Sequence, residues 1–97
     1  MMANQEQLAI LKHGVEAWNA WRAEHWEFID LRGADLSGMN LIGANLMGAD
    51  LIMADLSRMD LTGTDLSSAN LTGAGLIAVD LRGADLYGER PPRCTAP

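Results

Sequence analysis

Leucine stands at every fifth position from Leu31 to Leu86, twelve times without an insertion. An interval of five matches neither the 3.6-residue turn of a helix nor the alternation of a strand. Self-similarity at a fixed interval indicates a stacked repeat, and that constrains the chain more than any other feature of its sequence. The residue before each leucine is Asp or Asn, with Gly75 the exception; two before it usually stands Ala, and two after it usually Gly.

Stretches such as Gly33-Ala34-Asp35-Leu36-Ser37, Gly43-Ala44-Asn45-Leu46-Met47 and Gly83-Ala84-Asp85-Leu86-Tyr87 resemble the pentapeptide-repeat family, with its motif A(D/N)LXX. The segment Leu11–Arg22 also looks like the leader that precedes the repeats in many bacterial members. The resemblance implies an all-β solenoid: a right-handed quadrilateral β-helix, four units to a coil, with the leucine and the small residue two before it pointing inward. The implied core is Leu31, Leu36, Leu41, Leu46, Leu51, Leu56, Leu61, Leu66, Leu71, Leu76, Leu81 and Leu86. The residues give a partly independent check on four units per coil. The inward small site is large at Met39, Met59 and Val79, twenty apart, and Gly43, Gly63 and Gly83 recur at the same spacing. Twelve units then make about three coils, a stack of roughly 14 Å at the usual strand separation.

The chain divides into three segments. Residues 4–28 form an amphipathic capping helix and hinge, 29–88 the solenoid, and 89–97 a tail in which Pro91 and Pro92 cannot donate to a ladder and so end the stack. The spacing predicts one helix over 4–25, with Asn4 as N-cap and Gln7 closing a capping box. Leu8, Leu11, Val15 and Trp18 collect on one face with Trp21 beside them, while Lys12, Glu16, Asn19 and Arg22 fall largely on the other. Gly14 costs about 1 kcal/mol in a helix interior, which a close backbone approach would justify. A stacked core has a bare apolar end that needs a cap, so Trp18, Trp21 and Trp26 are expected to act as a lid rather than as an aromatic box for a ligand. His13 and His25, twelve apart, are expected to pack or face solvent.

Composition excludes several function classes. A net charge of −6 does not suit direct binding to nucleic acid. One cysteine, Cys94, supports neither an internal disulfide nor a cysteine metal site. No apolar run approaches the length of a membrane span, and Gln5, Glu6 and Gln7 do not read as the start of a signal peptide, so a soluble cytoplasmic chain is expected. No nucleophile, phosphate loop or metal cluster is legible, so the expectation is a protein that is not an enzyme and needs no cofactor.

What remains is interaction. Ile42, Met47 and Ile52, with Met53 at the next corner, form an apolar band, and Leu81, Leu86 and Tyr87 lie toward an open C-terminal coil; these are the candidate partner surface. The primary expectation is a non-catalytic structural and protein-interaction module that forms a homodimer by end-to-end stacking of C-terminal coils. The Asp/Asn columns are read first as backbone-serving side chains at tight corners. The resemblance supplies the alternative: some family members mimic duplex DNA and bind the type II topoisomerase DNA gyrase as inhibitor or protector.

Overall fold

The computed structural model describes residues 3–25 and 27–83. Two short helices, α1 (Gln5–Lys12) and α2 (Val15–Arg22), precede a solenoid whose neighbouring coils are joined by parallel bridges.

The bridges set the length of a coil. Asp30 pairs with Asp50, Asp35 with Asp55, Asn40 with Asp60 and Asn45 with Asp65, and the next coil continues with Asn70, Gly75 and Asp80. Each pairing spans twenty residues, so the repeat of five is nested in one of twenty. Four columns result, which we call sides one to four after Asp30, Asp35, Asn40 and Asn45. The leucine N–H of one coil donates to the Asp or Asn carbonyl of the next, as from Leu31 to Asp50 at 2.9 Å and from Leu36 to Asp55 at 3.0 Å. In return the Asp50 N–H donates to Ile29 at 2.9 Å. Backbone groups are thereby paired between coils although, among the described residues, no side carries an extended strand.

Each corner is a turn closed from the inward small residue back to the preceding leucine, for example Ala34 N–H to the Leu31 carbonyl at 3.1 Å. Its third residue has positive φ, as type II turns require. Glycine fills most of these sites, but Met53, Arg58, Ser68 and Ala78 hold φ of 59–63° without that freedom. The Asp or Asn before each leucine closes a second ring, its Oδ1 accepting the N–H two residues on: 3.1 Å from Ser37 to Asp35, 3.1 Å from Ile42 to Asn40, 3.0 Å from Ser67 to Asp65. The short acidic side chains therefore serve the turns.

Leucines 31 to 71 are buried to within 2 % exposure. Met59 is buried in the third column with Met39 and Val79 partly so. Thr64 takes the place of the usual alanine and is fully buried; its hydroxyl donates to the Leu41 carbonyl at 2.7 Å, which satisfies the one polar atom it brings inside.

The helical segment differs from the single helix expected over 4–25. The chain breaks at Gly14, whose φ of 119° and ψ of 164° lie in a region open essentially to glycine alone. No heavy atom lies within 4 Å of the Cβ it lacks, so backbone conformation and not close approach explains the residue. Asn4 does cap α1 by accepting the Gln7 N–H at 3.0 Å. The Gln7 side chain does not close the capping box. It is 4 % exposed and bonds to the backbone of the first coil instead.

Candidate interaction surface

The end of the solenoid nearest the helices presents the backbone groups that a preceding coil would pair. On side one the Gln7 carboxamide takes one of them, its Oε1 accepting the Asp30 N–H at 2.8 Å, while its Nε2 donates to the Phe28 carbonyl at 2.9 Å. The Asn4 N–H adds a bond to the Asp30 carbonyl at 2.8 Å. Asn19 repeats the arrangement on side four, donating to Gly43 at 3.0 Å and accepting from Asn45 at 2.8 Å. Each carboxamide oxygen thus takes the acceptor place of a missing coil, and each amide nitrogen adds a bond to a carbonyl two residues earlier that the coils themselves leave unpaired. Trp18 is fully buried over the leucines and donates Nε1 to Asn45 at 2.7 Å, and Arg22 donates to the Met47 carbonyl at 2.9 Å. Asn19 and Arg22, placed by spacing largely on the side opposite the apolar face, thus bond to the solenoid.

Leu11 is buried with Trp18, while Leu8, Val15 and Trp21 are partly buried. Trp21 packs against Trp18 at 5.3 Å and 34°, and the His25 ring stacks on it at 4.5 Å and 12°. A cleft of about 480 Å3 opens beside this stack between α1 and the segment that enters the solenoid, with Glu6, Glu27 and the exposed Phe28 at its rim. Trp26 lies outside the described residues.

Along the outer wall, Arg32 grips Asp30 through two bonds of 2.8 Å and approaches Asp50 at 3.9 Å. Arg82 holds Asp80 with its shortest contact at 2.6 Å. These guanidiniums keep the Asp30 carboxyl below the usual carboxylate range and bring that of Asp80 down to about 2. The Ser37 hydroxyl, donating to Asp35 at 2.6 Å, lowers Asp35 as well. Sides one and three therefore carry positive charge among their carboxylates.

The apolar candidates are distributed around the wall. Ile42 and Met47 are 45 % and 43 % exposed, Met53 is 62 % exposed, and Ile52 is only partly so. They occupy successive corners and wrap the solenoid instead of forming one flat patch. Ile77, 75 % exposed, and Phe28, 64 % exposed, were not singled out by spacing as part of a surface. Leu76, Val79 and Leu81 in the third coil are only partly buried. Leu86, Tyr87 and the tail at 89–97 lie outside the described residues. Among the described residues no group of three or more His, Cys, Asp or Glu is placed to hold a metal ion, and no helix is long and apolar enough to cross a membrane.

The model of the family described as pentapeptide repeats matches residues 28–63 and 54–88, with eight copies of the unit. The chain belongs to the pentapeptide-repeat family. Among solved structures, a pentapeptide-repeat protein of the Arabidopsis thaliana thylakoid lumen is 42% identical over 61% of this chain and 45% of its own, with a TM-score of 0.55. The cyanobacterial pentapeptide-repeat protein Rfr23 from Cyanothece is 38% identical over 58% of this chain and 38% of its own, with a TM-score of 0.33. QnrB1, a plasmid-mediated fluoroquinolone resistance protein, is 24% identical over 62% of this chain and 35% of its own, with a TM-score of 0.43. This pentapeptide-repeat chain thus spans less than half the length of each. No curated protein matches its sequence.

Proposed function

We propose that this pentapeptide-repeat chain is a right-handed, four-sided β-helix that acts without catalysis, as a structural and protein-interaction module self-associating through its C-terminal coil. The observation that carries this reading is the change in burial along the core. Leucines through Leu71 are enclosed, whereas Leu76, Val79 and Leu81 in the third coil keep part of their apolar surface in contact with solvent. Covering that surface is favourable at about 25 cal/mol per Å2, and the third coil of a second copy offers the same surface in return. Light scattering coupled to chromatography tests it. A dimer mass at micromolar concentration, reduced to the monomer by Leu81→Lys, is expected; a monomer at every concentration overturns the reading.

A DNA-like role toward a type II topoisomerase is weighed by the disposition of charge. Duplex DNA presents a negative charge about every 1.7 Å, and acidic columns alone would approach that density over three coils. Arg32 between Asp30 and Asp50, and Arg82 on Asp80, interrupt two of the four columns with positive charge. That arrangement favours the interaction module. A supercoiling assay with DNA gyrase and the protein in large molar excess should show no change; inhibition or protection would favour the mimic.

A further inference from the structure

We propose that the open backbone edge of the first coil on side two takes an extended peptide segment of a partner protein, carrying one carboxylate for Lys12. The segment adds to the solenoid beside α1, at the end opposite the third coil, so this contact and the self-association can exist together.

Inside the stack, each side of a coil makes three backbone bonds to the coil before it. On side two the Asp55 N–H donates to the Ala34 carbonyl at 2.9 Å, and the Asp55 and Ser57 carbonyls accept from Leu36 and Gly38 at 3.0 and 3.2 Å. The first coil has no coil before it, and the cap makes up the loss unevenly. On side one Gln7 and the Asn4 N–H take the Asp30 N–H and carbonyl. On side four Asn19, Trp18 and Arg22 take the Asn45 N–H, the Asn45 carbonyl and the Met47 carbonyl, which fills all three places. Among the described residues side two receives none of the three: the Asp35 N–H, the Asp35 carbonyl and the Ser37 carbonyl have no partner. The same holds on side three for the Asn40 N–H and the Asn40 and Ile42 carbonyls, so the open edge continues around the corner.

An edge with donor and acceptors in register is a template for main chain. Its pattern specifies the occupant by the spacing that Ala34, Leu36 and Gly38 provide to the second coil. A carbonyl must meet the Asp35 N–H, an N–H two residues on must meet the Asp35 carbonyl, and an N–H two residues further must meet the Ser37 carbonyl. Extended segments join sheet edges through such bonds, and the pockets beside the edge select their side chains.

There is room for the segment. A groove of about 250 Å3 separates Ala3, Leu8 and Lys12 on the helical wall from Gly33, Ala34 and Asp35 on the solenoid. Asp35 and Ser37 are exposed. Lys12 is exposed too and has no ion pair among the described residues. The Asp35 carboxylate across the groove is turned to Ser37, accepting its N–H at 3.1 Å and its hydroxyl at 2.6 Å. The Lys12 ammonium is thereby left for a carboxylate on the segment, and the partly buried Leu8 offers apolar contact. One carboxylate suffices; a strongly acidic segment would meet the chain's own charge of −6.

The test uses the full chain, NMR of its backbone amides, and the capped peptide acetyl-Ala-Asp-Ala-Ser-Gly-amide as probe. In the free protein the Asp30 and Asn45 amides should exchange with solvent slowly, and the Asp35 and Asn40 amides quickly. Added peptide should shift the Asp35, Ser37 and Lys12 signals and slow exchange at Asp35. N-methylation of its third and fifth residues removes the two donors and should weaken binding by at least about tenfold. Lys12→Gln, or Ala in place of the peptide's Asp, should weaken it about two- to fivefold, while Leu81→Lys should leave it unchanged. An Asp35 amide already protected in the free chain, as when the chain's own tail lies on the edge, overturns the proposal. So does a peptide that gives no shift at millimolar concentration, or whose N-methylated form binds equally well. Binding that neither Lys12→Gln nor the Ala peptide weakens overturns the carboxylate requirement. A chain that binds the peptide but stays monomeric in light scattering supports this contact and overturns the C-terminal one.

Discussion

At the scale of single residues, each corner poses the same conformational problem, and the environment of the corner sets the cost of a wrong solution. Gly63 has φ +68° with open space where a Cβ would go, whereas a Cβ on Gly73, at φ +73°, would lie 2.5 Å from Met53 Sδ. Gly63→Ala should therefore lose only the conformational term, about 1 kcal/mol, and Gly73→Ala more, because the Met53 thioether must also move. Ser68→Gly, at a corner with φ 61°, should gain about 1 kcal/mol. Urea titrations of the three variants check the order. The carboxylates make a second prediction. Asp30, Asp35 and Asp80 have folded pKa values below their ordinary ones, so the folded chain binds protons less readily than the unfolded chain. Their stabilisation is complete above the unfolded pKa near 4 and is lost as pH falls through the folded values, about 2 for Asp80. Melting temperatures measured from neutral pH down to this range should drop most steeply there, and Asp80→Asn, which keeps the Oδ1 acceptor, should flatten part of the drop.

At the scale of elements, the solenoid was legible in the sequence and its cap only partly so. Met39, Met59 and Val79 revealed the coil of twenty because side-chain volume must repeat where coils stack. Leu11 and Trp18 were readable as buried because apolar spacing survives a break in the helix. The break itself was not. Gly14 reads as a modest penalty in a helix, and only its φ of 119° reveals that two helices meet there. Gln7 was misassigned because a carboxamide at that position suits a capping box as well as a strand edge. The available signal was its place four residues before Leu11, on the apolar stripe, where an unpaired amide is not tolerated. Asn19, next to Trp18, had no such signal. Of the candidate surface, spacing singled out Ile42, Met47 and Met53, which are exposed, and passed over Ile77 and Phe28, because a count of five does not say how far a corner side chain stands from the wall. The cap yields a direct prediction. Gln7→Ala leaves the Asp30 N–H and the Phe28 carbonyl without their partner and should cost about 1–3 kcal/mol. Gln7→Glu should be at least as damaging at neutral pH, where a carboxylate faces the Phe28 carbonyl, and should recover partly in acid. Thermal melts at two pH values separate the cases.

At the scale of the whole molecule, the two carboxamides act as a gauge. Gln7 engages Phe28 and Asp30, and Asn19 engages Gly43 and Asn45, so the helices span a fixed fifteen-residue arc from Asp30 to Asn45. The Arg22 bond to the Met47 carbonyl closes that arc just beyond its second anchor. A five-residue unit inserted after Gly38 would shift the second anchor by one of the four columns and detach α2. The same unit inserted after Gly48 would leave both anchors in place and rotate only the later coils. Paired insertions compared by melting should show a large loss for the first and a small one for the second. The length of the rod is thus free to vary in one direction only: new units can accumulate beyond the first coil, while the arc under the helices keeps its count.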